Sequence, residues 1–345
     1  MKAVTAIGLD LAKQVFHVHG SDAEGSPTFS RKLRRVQVKE FFENIPPCTV
    51  GMEACGSAYY WAREIASFGH DVRIMPAIYV KPFVKRGKTD AIDAEAICDA
   101  VLHKQMRFIP VKSAEQQAFS MLLKVRALFL RQRTKATNAL RSHMAEFGLV
   151  VPAGTTKVTA LFSLLKDDGN GQMPQVARLA LCEIMEEIEH LDVRIDQLDA
   201  QIASQAKQDE DFQRLMTIPG VGKTTAAAIK AYVGDAGVFK SSRHFASWIG
   251  LTPKVHASGG KTRLGSISKA GNSVLRSLLY MGARAILRQS RKSENSSSWL
   301  TKLMIRRPFK VVAIAVANKM ARTIWALLKN GGTYHPPIEP NVAST

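Results

Sequence analysis

The sequence predicts an N-terminal α/β domain over residues 1–112, a helical, coiled-coil middle over 113–210 and a mainly α C-terminal domain over 211–330. Three observations predict them. Short apolar runs come first and then alternate with helical spacing, the order expected of an α/β domain with a mixed sheet. Apolar residues next recur at alternating three- and four-residue steps from Leu181 to Ile202, the pattern of an a/d seam. Last, residues 254–329 hold sixteen Lys and Arg but one acid, Glu294.

Taken in order, residues 4–11 read as a buried strand, 15–19 as its partner and 27–36 as a third strand. Residues 48–54 are another short apolar run. Helical spacing follows over 57–68 (Tyr60, Ile65, Phe68), with Gly69 as a stop. Residues 71–77 read as a strand and 90–102 as a helix with Ile92, Ala96 and Ile97 apolar. From 113 to 147 nothing breaks a helix until Gly148, so a long helix carries Lys124, Arg126, Arg131, Arg133, Lys135 and Arg141. Residues 151–174 cluster Gly, Pro and Asp and read as a loop-rich connection. The seam of Leu181, Ile184, Ile188, Leu191, Ile195, Leu198 and Ile202 then needs a partner, either the 113–147 helix or a second subunit. Residues 212–288 are rich in Gly, Lys and Arg, and 311–328 form a last, mainly helical apolar stretch. Residues 331–345, with Pro336, Pro337 and Pro340, read as a flexible tail.

The chain of 345 residues carries a net charge of +19. Ten of its acids fall within 183–211, beside only two Lys or Arg, so the remainder is more basic still. A solvated face mixes signs, whereas a long stretch with one acid suits a surface that follows a nucleic-acid backbone. Cys48, Cys55, Cys98 and Cys182 form no C-x-x-C pair, which argues against a zinc ribbon or a disulfide framework. Asp10 and Lys13 interrupt the first apolar run, so it is no signal peptide, and the apolar run 311–317 is too short to span a bilayer. These features predict a cytoplasmic protein with no membrane partner.

Four acids stand where metal chemistry would need them. Asp10 interrupts an apolar strand in IGLDLAK, and Glu53 ends a later one in VGMEACG. Asp90 and Asp93 lie three apart at a helix start in KTDAIDAEA, so they project from one face. Asp90 taken alone reads better as a helix N-cap. A buried carboxylate is costly without a cation, and an oxygen-only set suits Mg²⁺ or Mn²⁺. Two such ions can activate one oxygen and stabilise another during phosphoryl transfer.

Two glycine-rich sites follow. The segment Thr217-Ile-Pro-Gly-Val-Gly-Lys has Thr217 where a Walker A loop needs Gly, so it reads as a helix-hairpin-helix-like turn. There Gly220, Gly222 and Lys223 would present backbone N–H groups and charge to a phosphate, although a tight structural turn is the plainer alternative. The second, GLTPKVHASGGKTRLGSISKAGN, reads as a loop that concentrates Gly, Ser and cations. Ser258 precedes two glycines, with Lys261 and Arg263 close by, and Ser266 and Ser268 rival it on chemistry alone. Lys254, Lys261, Arg263, Lys269 and Arg276 are the candidate nucleic-acid contacts in this region.

Together IGLDLAK, MEACG, TDAIDA, the PGVG turn and the last segment resemble the DEDD transposases of bacterial insertion sequences, in the bridge-RNA-guided group. The resemblance runs through nearly the whole chain, in order. It implies an RNase H-like (RuvC-like) N-terminal domain whose DEDD carboxylates are Asp10, Glu53, Asp90 and Asp93, loaded with Mg²⁺ or Mn²⁺. It also implies a C-terminal transposase domain whose catalytic serine falls on Ser258 and forms a transient phosphoserine link to DNA. The implied partners are donor and target DNA and a noncoding bridge RNA, with a homodimer that assembles to a tetramer on DNA at the bacterial nucleoid. Cys55 departs from the pattern, where Thr or Ser is expected. Two rivals stay open: a metal-dependent Holliday-junction-type endonuclease with no covalent intermediate, and a nucleic-acid-binding protein with no activity.

Overall fold

A strand buried on both sides sets the N-terminal architecture. In the computed structural model, which describes residues 3–85, 87, 89–152, 158–166, 173–207, 209–290 and 298–336, the chain divides into units Met1–Glu115 and Gln116–Thr345. In the first unit β1 (Ala6–Asp10), β2 (Val15–Ser21) and β3 (Pro27–Arg34) form an antiparallel meander. After α1 (Val38–Glu43), β4 (Thr49–Glu53) joins the other side of β1 in parallel. Then α2 (Ala58–Ser67) leads to β5 (Asp71–Met75), parallel to β4, so the sheet order is β3-β2-β1-β4-β5. The short α3 (Ala77–Val80) and α4 (Asp90–Leu102) complete the unit. This mixed sheet agrees with the α/β reading.

Alternation along the strands builds two cores. Ile7, Leu9, Phe16, Val18, Val50 and Met52 point to one face and pack with Phe42, Trp61 and Ile65 of α1 and α2. Each such fully buried side chain contributes about 1.5–3 kcal/mol. On the other face Ala6 packs with Val80, Ile97 and Val101. Here α4 lies directly on β1, because Gly8 has no side chain. A Cβ at Gly8 would overlap the Ala94 carbonyl oxygen and the Cys98 amide nitrogen. Gly51 does the same on β4, where a Cβ would sit 2.7 Å from Val101 Cβ.

The second unit is helical. Two long helices, α5 (Ala114–Glu146) and α7 (Gln175–Lys207), flank α6 (Val158–Lys166). Arg126 bonds Asp199 through both guanidinium and carboxylate pairs (2.6 and 2.8 Å), and Arg133 bonds Asp192 at 2.5 Å. Their reversed order makes α5 and α7 antiparallel, so the partner of the α7 seam in this chain is α5. Met185 is buried where the heptad reading put Ile184, and Ile184 and Leu198 are half-buried. The connection 151–174 corrects the loop reading: α6 buries Leu161 and Leu165 against Leu140, Met144, Leu181 and Met185. Its apolar residues have helical spacing, and only its flanks carry the Gly, Asp and Pro that suggested a loop; residues 153–157 and 167–172 lie outside the described residues.

The rest of the unit comprises α8 (Glu210–Met216), α9 (Lys223–Val233), α10 (Ser242–Ile249), β6 (Pro253–Ser258), β7 (Lys261–Ile267), α11 (Ser273–Ser290), α12 (Ser298–Arg306) and α13 (Phe309–Asn330). By length and hydropathy α13 could cross a membrane, yet Val312, Ala313, Val316, Ala317, Met320, Ala321 and Ile324 bury a stripe in the core with Leu275, Leu279 and Phe245. It is the central helix of this core. The tail expected to be flexible from 331 is tied at Tyr334, whose N–H donates to Thr217 Oγ1 at 2.9 Å. Residues 337–345, including Pro337 and Pro340, lie outside the described residues.

Candidate active site

The parallel register of β1 and β4 pairs Leu9 with Met52, so the next residues, Asp10 and Glu53, end side by side at one end of the sheet. Above them begins α4. Thr89, and not Asp90, is its N-cap, accepting from the Ile92 N–H at 3.3 Å. Asp90 and Asp93 are therefore free of capping duty in the first turn, where the helix dipole favours carboxylates. The contact of α4 on Gly8 sets the height of this turn over Asp10.

Electrostatics report that the acids stand close enough to repel one another. Burial, then Asp93 and Asp90, and more weakly Glu53, push the Asp10 carboxyl up to about 6, against a lowering by His17. Burial, then Asp93, raises Glu53. Carboxylates that repel one another in a partly dry site favour a proton or a cation. Among the described residues no three His, Cys, Asp or Glu side chains close into a ready metal cage. The four acids thus share a site electrostatically without converging on a point, and as an oxygen-only set they fit a hard divalent ion.

Beside the acids lies an open cleft of about 380 Å³, lined by Glu53, Asp93, Ala77, Ile78, Val80, Lys81 and Val84. The sequence reading missed His17. It sits opposite Asp10 in the β1–β2 register, and its Nε2 lies 3.6 Å from Asp90 Oδ2. Its signal was there: in VFHVHGS the residues alternate, and His17 takes the side of the strand opposite to Phe16 and Val18.

In the second unit the segment read as a loop is a hairpin. Ser258 ends β6 and pairs across the turn with Lys261, and His256 pairs with Arg263. Gly259 (φ 54°) and Gly260 (φ 75°) make the two-residue connection, which needs positive φ at both positions. This turn chemistry explains the hairpin. Ser258, His256, Lys261 and Arg263 share one face, and all are exposed, as is Lys254. Of the rivals, Ser266 lies within β7, and the Ser268 N–H donates to the Thr252 carbonyl.

The other candidate contacts differ in their freedom. Arg276 Nη1 donates to the carbonyls of Ile249 (2.8 Å) and Ala270 (3.0 Å), so it braces the turn after β7. Lys269 occupies that turn with φ 56°. Gly220 (φ 80°) packs on Gly282 of α11, where a Cβ on Gly282 would overlap the Gly220 carbonyl oxygen. Gly222 precedes α9 with no side-chain cap, and Lys223 opens the helix exposed.

Residues 7–148 match a transposase family profile, DEDD_Tnp_IS110, and residues 212–297 match the Transposase IS116/IS110/IS902 family. A "Probable family 20 transposase" of Pseudomonas aeruginosa is 46% identical over 96% of this chain and 99% of its own length. The "Transposase for insertion sequence element IS1111A" of Coxiella burnetii is 38% identical over 97% and 92%. More distantly, a "Pilin gene-inverting protein" of Moraxella bovis is 27% identical over 81% and 82%. With these relatives over nearly its full length, the chain belongs to the IS116/IS110/IS902 family of transposases, enzymes that act on the DNA of insertion sequences.

Proposed function

We propose that this transposase cuts and rejoins DNA with divalent ions on Asp10, Glu53, Asp90 and Asp93 of an RNase H-like domain, and with Ser258 as nucleophile. Two carboxylates at one sheet end, with two more on the first turn of α4 close enough to help raise Asp10 to about 6, support the reading. Mg²⁺ or Mn²⁺ bound there supplies neutralising charge to phosphoryl oxygens. Ser258 Oγ bonds to phosphorus as the bond from phosphorus to a deoxyribose oxygen breaks; that oxygen leaves with a proton, and the serine proton passes to solvent. Attack by a new sugar hydroxyl reverses these steps, joins the strand and frees Ser258. A relative named for inverting a gene supports cutting followed by rejoining.

Lys254, Lys261 and Arg263 on the hairpin, Lys269 and Arg276 after it, and Gly220, Gly222 and Lys223 before α9 hold the backbone without reading sequence. Sequence choice falls to a noncoding bridge RNA, and homodimers assemble to a tetramer on donor and target DNA, as the family resemblance implies.

Incubation with the element's DNA ends and Mg²⁺, followed by denaturing electrophoresis, tests the reading. The native chain gives a covalent protein–DNA adduct. Ser258→Ala gives none, and Asp10→Asn gives neither adduct nor cleavage. An adduct that persists in Ser258→Ala assigns the nucleophile elsewhere. Cleavage by Ser258→Ala at the native rate, with no adduct in either protein, identifies a water-using endonuclease.

A further inference from the structure

The sheet carries the site further than the four acids. Glu53, Asp10 and His17 occupy adjacent positions on β4, β1 and β2. The next strand extends the row, because the register pairs His17 with Lys32 and Val15 with Arg34. Residues paired across strands share a face. Lys32 and Arg34 therefore stand on the face of Asp10, whereas Arg31 and Leu33 pair with Val18 and Phe16 on the opposite, core-packed face. The row runs from two carboxylates through a histidine to cations at the free edge of the sheet.

The cations are available. Lys32 and Arg34 are exposed, and among the described residues neither makes an ion pair. Arg34 Nε donates weakly to Gln37 Oε1 at 3.4 Å. Arg35, by contrast, lies over Phe16 and Trp61 on the other face. From β1 to β3 the sheet spans two inter-strand spacings, about 10 Å.

We propose that Lys32 and Arg34, with His17 between them and the acids, bind the phosphates of the DNA strand that enters the carboxylate site. The inference rests on the cutting role given to the carboxylates, and it assigns DNA because that is what the acid end of the row cuts. The β3 edge then fixes the direction in which the strand crosses the sheet.

Binding of a fluorescent DNA duplex to the full chain in EDTA, from about 50 to 200 mM salt, tests it. Each phosphate contact contributes about 0.9 to the slope of log affinity against log salt. Lys32→Gln with Arg34→Gln should lower the slope by about two and leave thermal melting unchanged. Arg31→Gln, one residue away on the same strand and opposite in face, should leave the slope as it was. An unchanged slope in the double variant overturns the proposal, as does an equal drop in Arg31→Gln or a drop confined to RNA of the same sequence. Cleavage by Asp10→Asn judges the metal reading separately, since binding in EDTA is read without metal.

Discussion

Asp10 ends a strand whose other four residues are all buried, whereas Ser258 ends a strand with no buried residue at all. The acids are held by a five-stranded sheet, a helix seated on glycine and two apolar cores. The serine rides a two-stranded ribbon, a structure that is marginal alone and owes its shape to two glycines. The contrast follows from the chemistry. Four like charges must be forced together against their own repulsion, so their scaffold has to be rigid. On the proposed reading Ser258 forms and then releases a bond to a large substrate, which calls for reach, and a phosphate held by the neighbouring cations would position it.

The rigid side breaks most easily at Gly8. In Gly8→Ala the new methyl group meets helix backbone, which cannot rotate aside, so α4 must lift off β1. Overpacking of this kind costs about 1–3 kcal/mol, and a clash with backbone belongs at the top of that range or above. For a unit of this size each kcal/mol shifts Tm by about 4–8 °C. We expect the unfolding temperature of this unit in calorimetry to fall by more than about 10 °C, with strand cleavage lost because Asp90 and Asp93 move with the helix. A shift of a degree or two would mean that the close contact of α4 does not set the site.

A smaller effect should appear in the pH dependence of the metal-free protein. The folded state holds the Asp10 proton more tightly than the unfolded chain does, since its pKa rises from 3.8 to about 6. Stability from this group is therefore complete below about pH 4 and is lost as pH climbs through 6. Glu53 adds in the same direction. Other carboxylates titrate over the same range, so the informative quantity is native minus Asp10→Asn. The native chain should lose stability relative to the variant between pH 4 and 7, as read by urea midpoints. Divalent ions should remove the difference above pH 6, because only the ionised site binds them. A difference that grows in the opposite sense would mean Asp10 is paired with a cation and is not crowded by acids.

Legibility in the sequence follows the same division. β1 is readable because burial on both faces makes it a continuous apolar run, in which Asp10 stands out as a polar residue. Glu53 was placed by its strand end and Asp90 and Asp93 by helical spacing, but their meeting depends on Gly8, whose role needs the distant Ala94. The face of His17 is readable from the alternation of its strand, but its place opposite Asp10 requires the register. The β6–β7 hairpin was missed because no core imposes alternation on it, so only the Gly-Gly turn marked it. In α6, Gly, Asp and Pro at the flanks outweighed a nine-residue apolar pattern until its burial against α5 and α7 decided the matter.

The smallest effect on stability, and the sharpest test of the contrast, belongs to Gly260→Ala. Nothing lies within 4 Å of a Cβ built there, so the substitution meets no clash. Its cost is conformational: φ is 75°, and an L-residue in that region is strained by about 1–2 kcal/mol. Because the hairpin buries almost nothing, it can shift locally and leave the helical core intact. Tm of the second unit should move by less than about 2 °C, whereas 1–2 kcal/mol of local penalty lowers the population of the present turn about 5- to 30-fold. The rate of covalent adduct formation should fall by that factor while DNA binding holds, since the Lys and Arg side chains remain. Were Gly260→Ala to melt the unit as Gly8→Ala melts the first, the ribbon would be part of a core after all, and the division between a rigid acid site and an adaptable serine would fail.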